Sequence, residues 1–316
     1  MLTAFGLTGL GLVILLFAGD ALVKGAVNLA LRLGIPALVV SLTIVAFGTS
    51  APELLIAISS ILDGVPDIAL GNVVGSNTAN ILLVLGVPAI LATMHTSELD
   101  TRKSFNFMIA ATILFIAVCF WGPITWTHGL VLIAALLVVL FDQARTAFAQ
   151  ADSGGAAQEE EVEGADPDMR WWKIIVFLIA GLIGLPLGAH LLVENASIIA
   201  RAFNISEAII GLTLVAIGTS LPELATTVMA TLRRQADVAL GNVIGSNLFN
   251  LLAITGIASF VGPIPVDQEF LVFDLWVMLA ASLLLIPFVY FGRNLTRIWG
   301  FLLAGLYIAY LVFLLA

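Results

Sequence analysis

The sequence predicts an all-α polytopic membrane protein, with ten transmembrane helices arranged as two inverted-topology five-helix repeats. Three observations carry that expectation. The 316-residue chain is 61% hydrophobic and only 10% charged, with a mean hydropathy of +1.13, a composition far outside the soluble globular range. Its apolar residues gather into ten windows of about 20 residues, roughly the length a helix needs to cross the hydrocarbon. The two halves of the chain also repeat one another. A β-barrel does not fit, because the apolar runs are continuous rather than alternating.

The ten windows open near Thr3, Pro36, Asp67, Ser104, Thr127, Trp172, Ser206, Asp237, Leu271 and Thr296. The first has no basic leader and no small-residue cleavage site, which predicts that it is retained. Within it Asp20 and Lys24 are four residues apart, a spacing at which opposite charges neutralise one another on a helix; the aligned positions of the sixth window are His190 and Glu194. The second, third, seventh and eighth windows carry Gly, Pro and polar residues at their middles. In the fourth, Cys119 lies in an apolar run and is the chain's single cysteine, so it reads as a structural thiol with no intramolecular disulfide to form. Trp121, Trp126, Trp171 and Trp172 flank windows and read as interfacial anchors.

Between the fifth and sixth windows the polar segment 146–170 divides the chain into a first five-helix repeat (1–145), an acidic linker and a second five-helix repeat (171–316). Its "QEEEVEGADPD" run, Gln158 to Asp168, carries much of the net charge of −9 and predicts a solvated, mobile loop; weak Ca²⁺ binding by its carboxylates is the alternative. The charge balance excludes nucleic acid as a partner. No obligate protein partner is evident, and the lipid bilayer is the expected surroundings.

Basic residues orient the chain, since short cytoplasmic loops collect Lys and Arg. With both termini outside, Arg32, Arg102, Lys103, Arg145, Arg170, Lys173, Arg233, Arg234, Arg293 and Arg297 fall on the cytoplasmic side, Arg201 falls outside, and Lys24 lies within the first span. Omitting one span would invert every later loop and destroy this bias. The linker is then cytoplasmic, and the expected location is the inner (cell) membrane.

The repeat has a fixed offset. Residues 45–86 align without a gap on 215–256, a displacement of 170, with 21 identities in 42 positions, enough to establish internal duplication. Each half holds five spans, an odd number, so the second half enters the membrane from the opposite side, as in transporters that alternate access around a midplane site. The shared motifs are "AFGTSAPELL" (46–55) with "AIGTSLPELA" (216–225), and "DIALGNVVGSNTAN" (67–80) with "DVALGNVIGSNLFN" (237–250).

The residue types in these motifs have a common chemistry. Ser50, Ser220, Asn72 and Asn242 are explained equally well as glue between helices. Glu53 and Glu223 are not, because a carboxylate within a span is costly and no basic residue accompanies it. Pro52 and Pro222 lack an amide hydrogen and break the helix, with Gly48 and Gly218 loosening the same turn. The carbonyls freed at about 46–49 and 216–219 are tolerated only if they line a cavity or coordinate something. Two carboxylates with the carbonyls of Thr49 and Thr219 suit Ca²⁺, a hard cation taking six to eight oxygens, and the charges cancel. No Cys or His lies in either motif, which disfavours soft metals. Asn72, Ser76 and Asn80 share one helix face, and Asn242, Ser246 and Asn250 repeat it, offering hydroxyl and amide oxygens to Na⁺.

With "GTSAPE" and "GNVVGSNTAN" answered by "GTSLPE" and "GNVIGSNLFN", the chain resembles the calcium/cation antiporter superfamily, sodium/calcium exchanger type, over both halves. The resemblance implies a prokaryotic Ca²⁺/Na⁺ antiporter in which the first and sixth spans move against a core of the others. It implies a calcium site of Glu53, Glu223, Thr49 and Thr219. It further implies sodium sites using Ala46, Ser50 and Ser76 on one side and Ala216, Ser220 and Ser246 on the other, with Asn80 and Asn250 between them. Asn250 departs from the Asp that relatives often carry there and removes one titratable group. The long regulatory loop of the animal proteins is absent.

Three other functions compete. Proton coupling, or a potassium requirement, replaces the counter-ion without changing the architecture. A channel fits poorly with inverted repeats and broken helices. An intramembrane hydrolase lacks a nucleophile with its base and a metal-ligand set, so the chain is not expected to be an enzyme and needs no organic cofactor.

Overall fold

The computed structural model describes residues 1–96, 99, 101–152, 166, 168–203 and 216–315. The regular structure is helical throughout: α1 Leu2–Leu33, α2 Ala37–Leu62, α3 Asp67–Leu91, α4 Arg102–Phe120, α5 Trp126–Asp152, α6 Trp171–Ala202, α7 from Ala216, α8 Ala236–Val261, α9 Phe270–Tyr290 and α10 Arg297–Leu315. Among the described residues nine of these are long and apolar enough to cross a membrane. The seventh window was expected to open near Ser206, and its first part lies outside the described residues. What is described of α7 is Ala216–Thr219 and Leu221–Leu232.

Burial sorts the helices into a centre and a rim. In α8 and α3, 89% and 78% of the most apolar window is buried, against 28% in α1 and α6. The polar, Gly-rich sequences of α3 and α8 explain this: Asn, Ser and Gly are costly against lipid but pack closely against other helices. Gly245 of α8 lies so close to α2 that an added Cβ would sit 2.5 Å from the carbonyl oxygen of Leu42.

α1 and α6 lie side by side and antiparallel. Gly11 meets Leu192 and Gly188, while Gly25, four turns further along α1, meets Leu178. The approach follows the repeat offset: Gly11 against Leu192 is answered by Gly181 against Leu22, each residue displaced by 170.

Loops are clasped in a similar way. Met94 and Leu295 exchange backbone hydrogen bonds of 3.0 and 3.1 Å, and Ile124 and Ile264 do the same at 2.7 and 2.9 Å. Shifting Met94 by 170 gives Ile264, and shifting Ile124 gives a position one residue from Leu295. The two clasps lie at opposite ends of α4 and of α9.

The expected neutralisation of Asp20 by Lys24 does not occur. Both Nε and Nη2 of Arg233 donate to Oδ1 of Asp20, and Lys24 instead sits 5.0 Å above the ring of Phe177. A planar guanidinium on a neighbouring helix offers two parallel donors that a flexible ammonium one turn away cannot match. α5 continues to Asp152, beyond the linker boundary expected at 145. Residues 153–165, with most of the acidic run, lie outside the described residues. At the linker's far end the Asp166 amide donates to Asn28 at 2.8 Å, and the Met169 carbonyl accepts from Arg32 at 3.2 Å. Cys119 is buried, and Trp121, Trp126, Trp171 and Trp172 are all exposed on the protein surface.

Candidate functional site

Both broken helices break at the same residue and in the same geometry. Ser50 (φ −86°, ψ 6°) and Ser220 (φ −86°, ψ 4°) leave the helical region, and a new helix begins at the next residue with Pro in its first turn. Proline is well suited to that position because the amide it lacks has no partner there. Glu53 and Glu223 follow, each in the first turn of the new segment, where the exposed amides and the helix dipole favour a negative group.

The break thereby aims both carboxylates into the centre of the bundle. Glu53 is 1% exposed and Glu223 is fully buried, and the two are close enough to interact electrostatically. Ser50 donates its hydroxyl to Oε1 of Glu223 at 3.1 Å, so the break in one half supports the carboxylate of the other. Beside that bond, Thr49 Oγ1 donates to Oδ1 of Asn242 at 3.2 Å and lies 3.5 Å from Oγ of Ser246.

α3 and α8 pack against the two acid-bearing turns. Asn72 Nδ2 donates to the backbone carbonyl of Glu53 and Asn242 Nδ2 to that of Glu223, both at 3.3 Å. These matched bonds fix each Glu-bearing turn against the neighbouring helix. Ser76, Ser246, Asn80 and Asn250 are all buried. Asn80 and Asn250 fall in the π-helical stretches Asn80–Val84 and Phe249–Ile254, where the widened turn displaces a side chain from the regular helix face. Ala46, at the end of the preceding turn, already offers its carbonyl to the Ser50 amide at 3.0 Å and the Thr49 hydroxyl at 3.3 Å. Ala216 opens the described part of α7, and Thr219 precedes its break half-buried, whereas Thr49 is fully buried.

Several of these oxygens are buried with no protein partner: Oε2 of Glu53, Oε2 of Glu223, Oγ of Ser220, Oδ1 of Asn80 and Oδ1 of Asn250. Each such atom costs about 1–3 kcal/mol when left unpaired. Their gathering around two acids is the arrangement a cation relieves. Among the described residues no group of three His, Cys, Asp or Glu forms, and the other oxygens described at the site are neutral. That set fits hard cations.

Two participants escaped the sequence reading. Asn247 Oδ1 accepts from Asn80 Nδ2 at 3.0 Å, and Asn247 Nδ2 donates to the Asn77 carbonyl at 3.4 Å, joining α3 to α8 at the centre of the bundle. The signal was present, since Asn77 and Asn247 are the "GSN" asparagines of both repeats. They are off the four-residue face of Asn72, Ser76 and Asn80.

The model of the sodium/calcium exchanger protein family matches residues 3–144 and 173–316. The sodium/calcium exchanger MaX1 of Methanosarcina acetivorans is 34% identical over 343 residues, covering 96% of each chain. Inner membrane protein YrbG of Escherichia coli is 33% identical over 287 residues, covering 90% of this chain and 88% of its own. The sodium-calcium exchanger NCX_Mj, solved with zero Na⁺ and Ca²⁺, superposes with a TM-score of 0.83 at 30% identity, covering 98% of each chain. Its structure soaked with 2.5 mM Na⁺ and 0.1 mM Ca²⁺ gives 0.82 at 31% identity, with 98% and 97% covered. The family match and these similarities run along nearly the whole chain, which belongs to the sodium/calcium exchanger family of membrane antiporters.

Proposed function

We propose that the chain exchanges Ca²⁺ for Na⁺ across the membrane by alternating access. The observation that carries this reading is the pair of buried acids, Glu53 and Glu223, each with an unpartnered oxygen facing neutral oxygen ligands. Ca²⁺ is held by both carboxylates with the Thr49 and Thr219 carbonyls, and its two charges cancel theirs. Na⁺ is held by Ala46, Ser50 and Ser76 on one side, by Ala216, Ser220 and Ser246 on the other, with Asn80 and Asn250 central. Loading the cavity with either one divalent ion or several monovalent ions couples the two fluxes.

In this reading the chain has ten spans in two inverted halves, 1–145 and 171–316, joined by a cytoplasmic acidic linker, with both termini outside the inner membrane. Several observations support it. The family match falls in two stretches, one per half. The loop clasps Met94–Leu295 and Ile124–Ile264 interchange under the 170-residue offset yet lie at opposite ends of α4, as an inverted repeat requires. Lys103 pairs with Asp142 at 2.6 Å and Arg32 bonds Met169, so basic residues assigned to the cytoplasmic side meet groups assigned to that same side.

Purified protein in liposomes at fixed pH takes up radiolabelled Ca²⁺ when a Na⁺ gradient is imposed, with or without K⁺, and stops when the gradient is removed. Uptake that ignores Na⁺ and follows a pH gradient overturns sodium coupling in favour of protons. Uptake that persists with no counter-ion overturns exchange itself.

A further inference from the structure

The α1–α6 pair is symmetric within itself, but what it covers is not. Gly19 of α1 lies against the backbone of Ala225 in α7, so that an added Cβ would stand 3.0 Å from the Ala225 carbonyl. Two turns further along α7, Arg233 bonds Asp20. The repeat offset converts these positions to Ala189 on α6, Leu55 and Asp63 on α2, and His190 on α6. That second face is open: Leu55 is 68% exposed where Ala225 is 8% exposed. Asp63 is exposed, and the His190 side chain is 74% exposed, with its Nε2 3.4 Å from Glu194 one turn on.

The charges complete the comparison. In the covered half the acid is on α1 and the base on α7; in the open half the base is on α6 and the acid on α2. Both residues of the pair have changed type between the repeats, yet their complementarity survives. Exchanging one of them alone would have set acid against acid or base against base.

We infer that Asp20 with Arg233, and His190 with Asp63, are two alternative ion pairs that latch the α1–α6 unit to opposite ends of the core. The inference rests on the alternating-access reading and deepens it by naming positioning residues for each end state. In the conformer described here the Asp20–Arg233 latch is closed, with Lys24 one turn beyond it turned onto Phe177. When the unit slides, that pair opens, Ala189 covers Leu55, and His190 meets Asp63. Either protonation state of the imidazole has an N–H to donate to the Asp63 carboxylate, while Glu194 gives up His190 or shares it. Under the orientation proposed above, the closed latch seals the cytoplasmic end and its counterpart seals the outer end.

Paired cysteines test this in a Cys119→Ala parent, which has no other thiol. Asp20→Cys with Arg233→Cys cross-links readily under oxidation. Asp63→Cys with His190→Cys cross-links more slowly, because the conformer it needs is the rarer one, and the bond stops exchange until it is reduced. Adding Arg233→Gln to this second double variant raises its cross-linking rate about fivefold, the effect expected of removing a partly exposed ion pair that favours the other conformer. Asp20→Asn raises it similarly and serves if Arg233→Gln fails to fold. Failure of the Asp63→Cys, His190→Cys variant to cross-link while it still exchanges ions overturns the inference, as does a rate that neither latch variant increases. Double-cysteine variants that cross-link as expected, built on a parent that carries no Ca²⁺, uphold the paired latches and remove the transport reading instead.

Discussion

Replacing Glu53 with Gln abolishes Ca²⁺ exchange while leaving the ion-free protein at least as stable as its parent. The two halves of that expectation have one cause. Glu53 and Glu223 are buried together, and in the absence of a cation each retains an oxygen with no partner. Amide for carboxylate keeps the shape and removes one of two like charges from a water-poor site, so folding loses nothing. Binding loses a great deal, because Ca²⁺ is then opposed by a single negative charge in a medium where an unbalanced charge costs about 3–5 kcal/mol. At 1.4 kcal/mol per factor of ten, that is roughly a hundredfold to a few thousandfold in affinity. Thermal unfolding in detergent checks both parts. Ca²⁺ raises the parent's melting temperature by mass action, about 2.7 kcal/mol at a hundredfold excess over the dissociation constant, and leaves the Glu53→Gln variant unmoved. Retained exchange in a folded Glu53→Gln protein removes Glu53 from the site. Glu223→Gln behaves alike, since Ser50 ties Glu223 to the opposite half.

What the sequence revealed of this site was the part encoded by local breaks in pattern. A Pro two residues after Ser50 and after Ser220 stops a hydrophobic helix, and the structure places the break at those two serines with φ and ψ agreeing within 2°. The membrane class, the helix starts other than that of α7, and the gathering of Glu53, Glu223, Thr49, Ser50 and Ser246 were legible for the same reason: a charge or a hydroxyl in an apolar run has few places to go. Partners set by tertiary packing were not legible. Asp20 finds Arg233, 213 residues away, in preference to Lys24 one turn along its own helix, and no periodicity within α1 contains that information. Asn247 was overlooked because a four-residue face was drawn through Asn242, Ser246 and Asn250. Its bond to Asn80 depends on where the π-helical turn directs the neighbouring chain.

The α1–α6 seam was the largest omission, and Gly188→Leu shows what it contributes: a clear loss of thermal stability and a fall in exchange of about tenfold or more. A Cβ at Gly188 would stand 2.9 Å from the amide nitrogen of Leu15 and 3.0 Å from the carbonyl oxygen of Gly11. Both are backbone atoms that cannot rotate away, so a side chain there forces the helices apart, and overpacking of this kind costs about 1–3 kcal/mol. Small residues are what let two helices approach in lipid, where dispersion contacts and not water exclusion hold them together. Gly11, Ala18 and Gly25 recur every seven residues on α1, facing Gly188, Gly184 and Leu178 of α6 in turn, a spacing that keeps them on one stripe. Exchange suffers beyond stability if α1 and α6 travel as one body, because a pair that no longer fits itself cannot fit either end of the core. Gly6→Leu on α1, the other helix of the pair, is the control, since nothing lies within 4 Å of that position; its melting temperature and flux match the parent's. Equal losses in the two variants show that the effect does not come from the α1–α6 seam, and Gly188→Leu protein with parental flux shows that close α1–α6 contact is dispensable for transport.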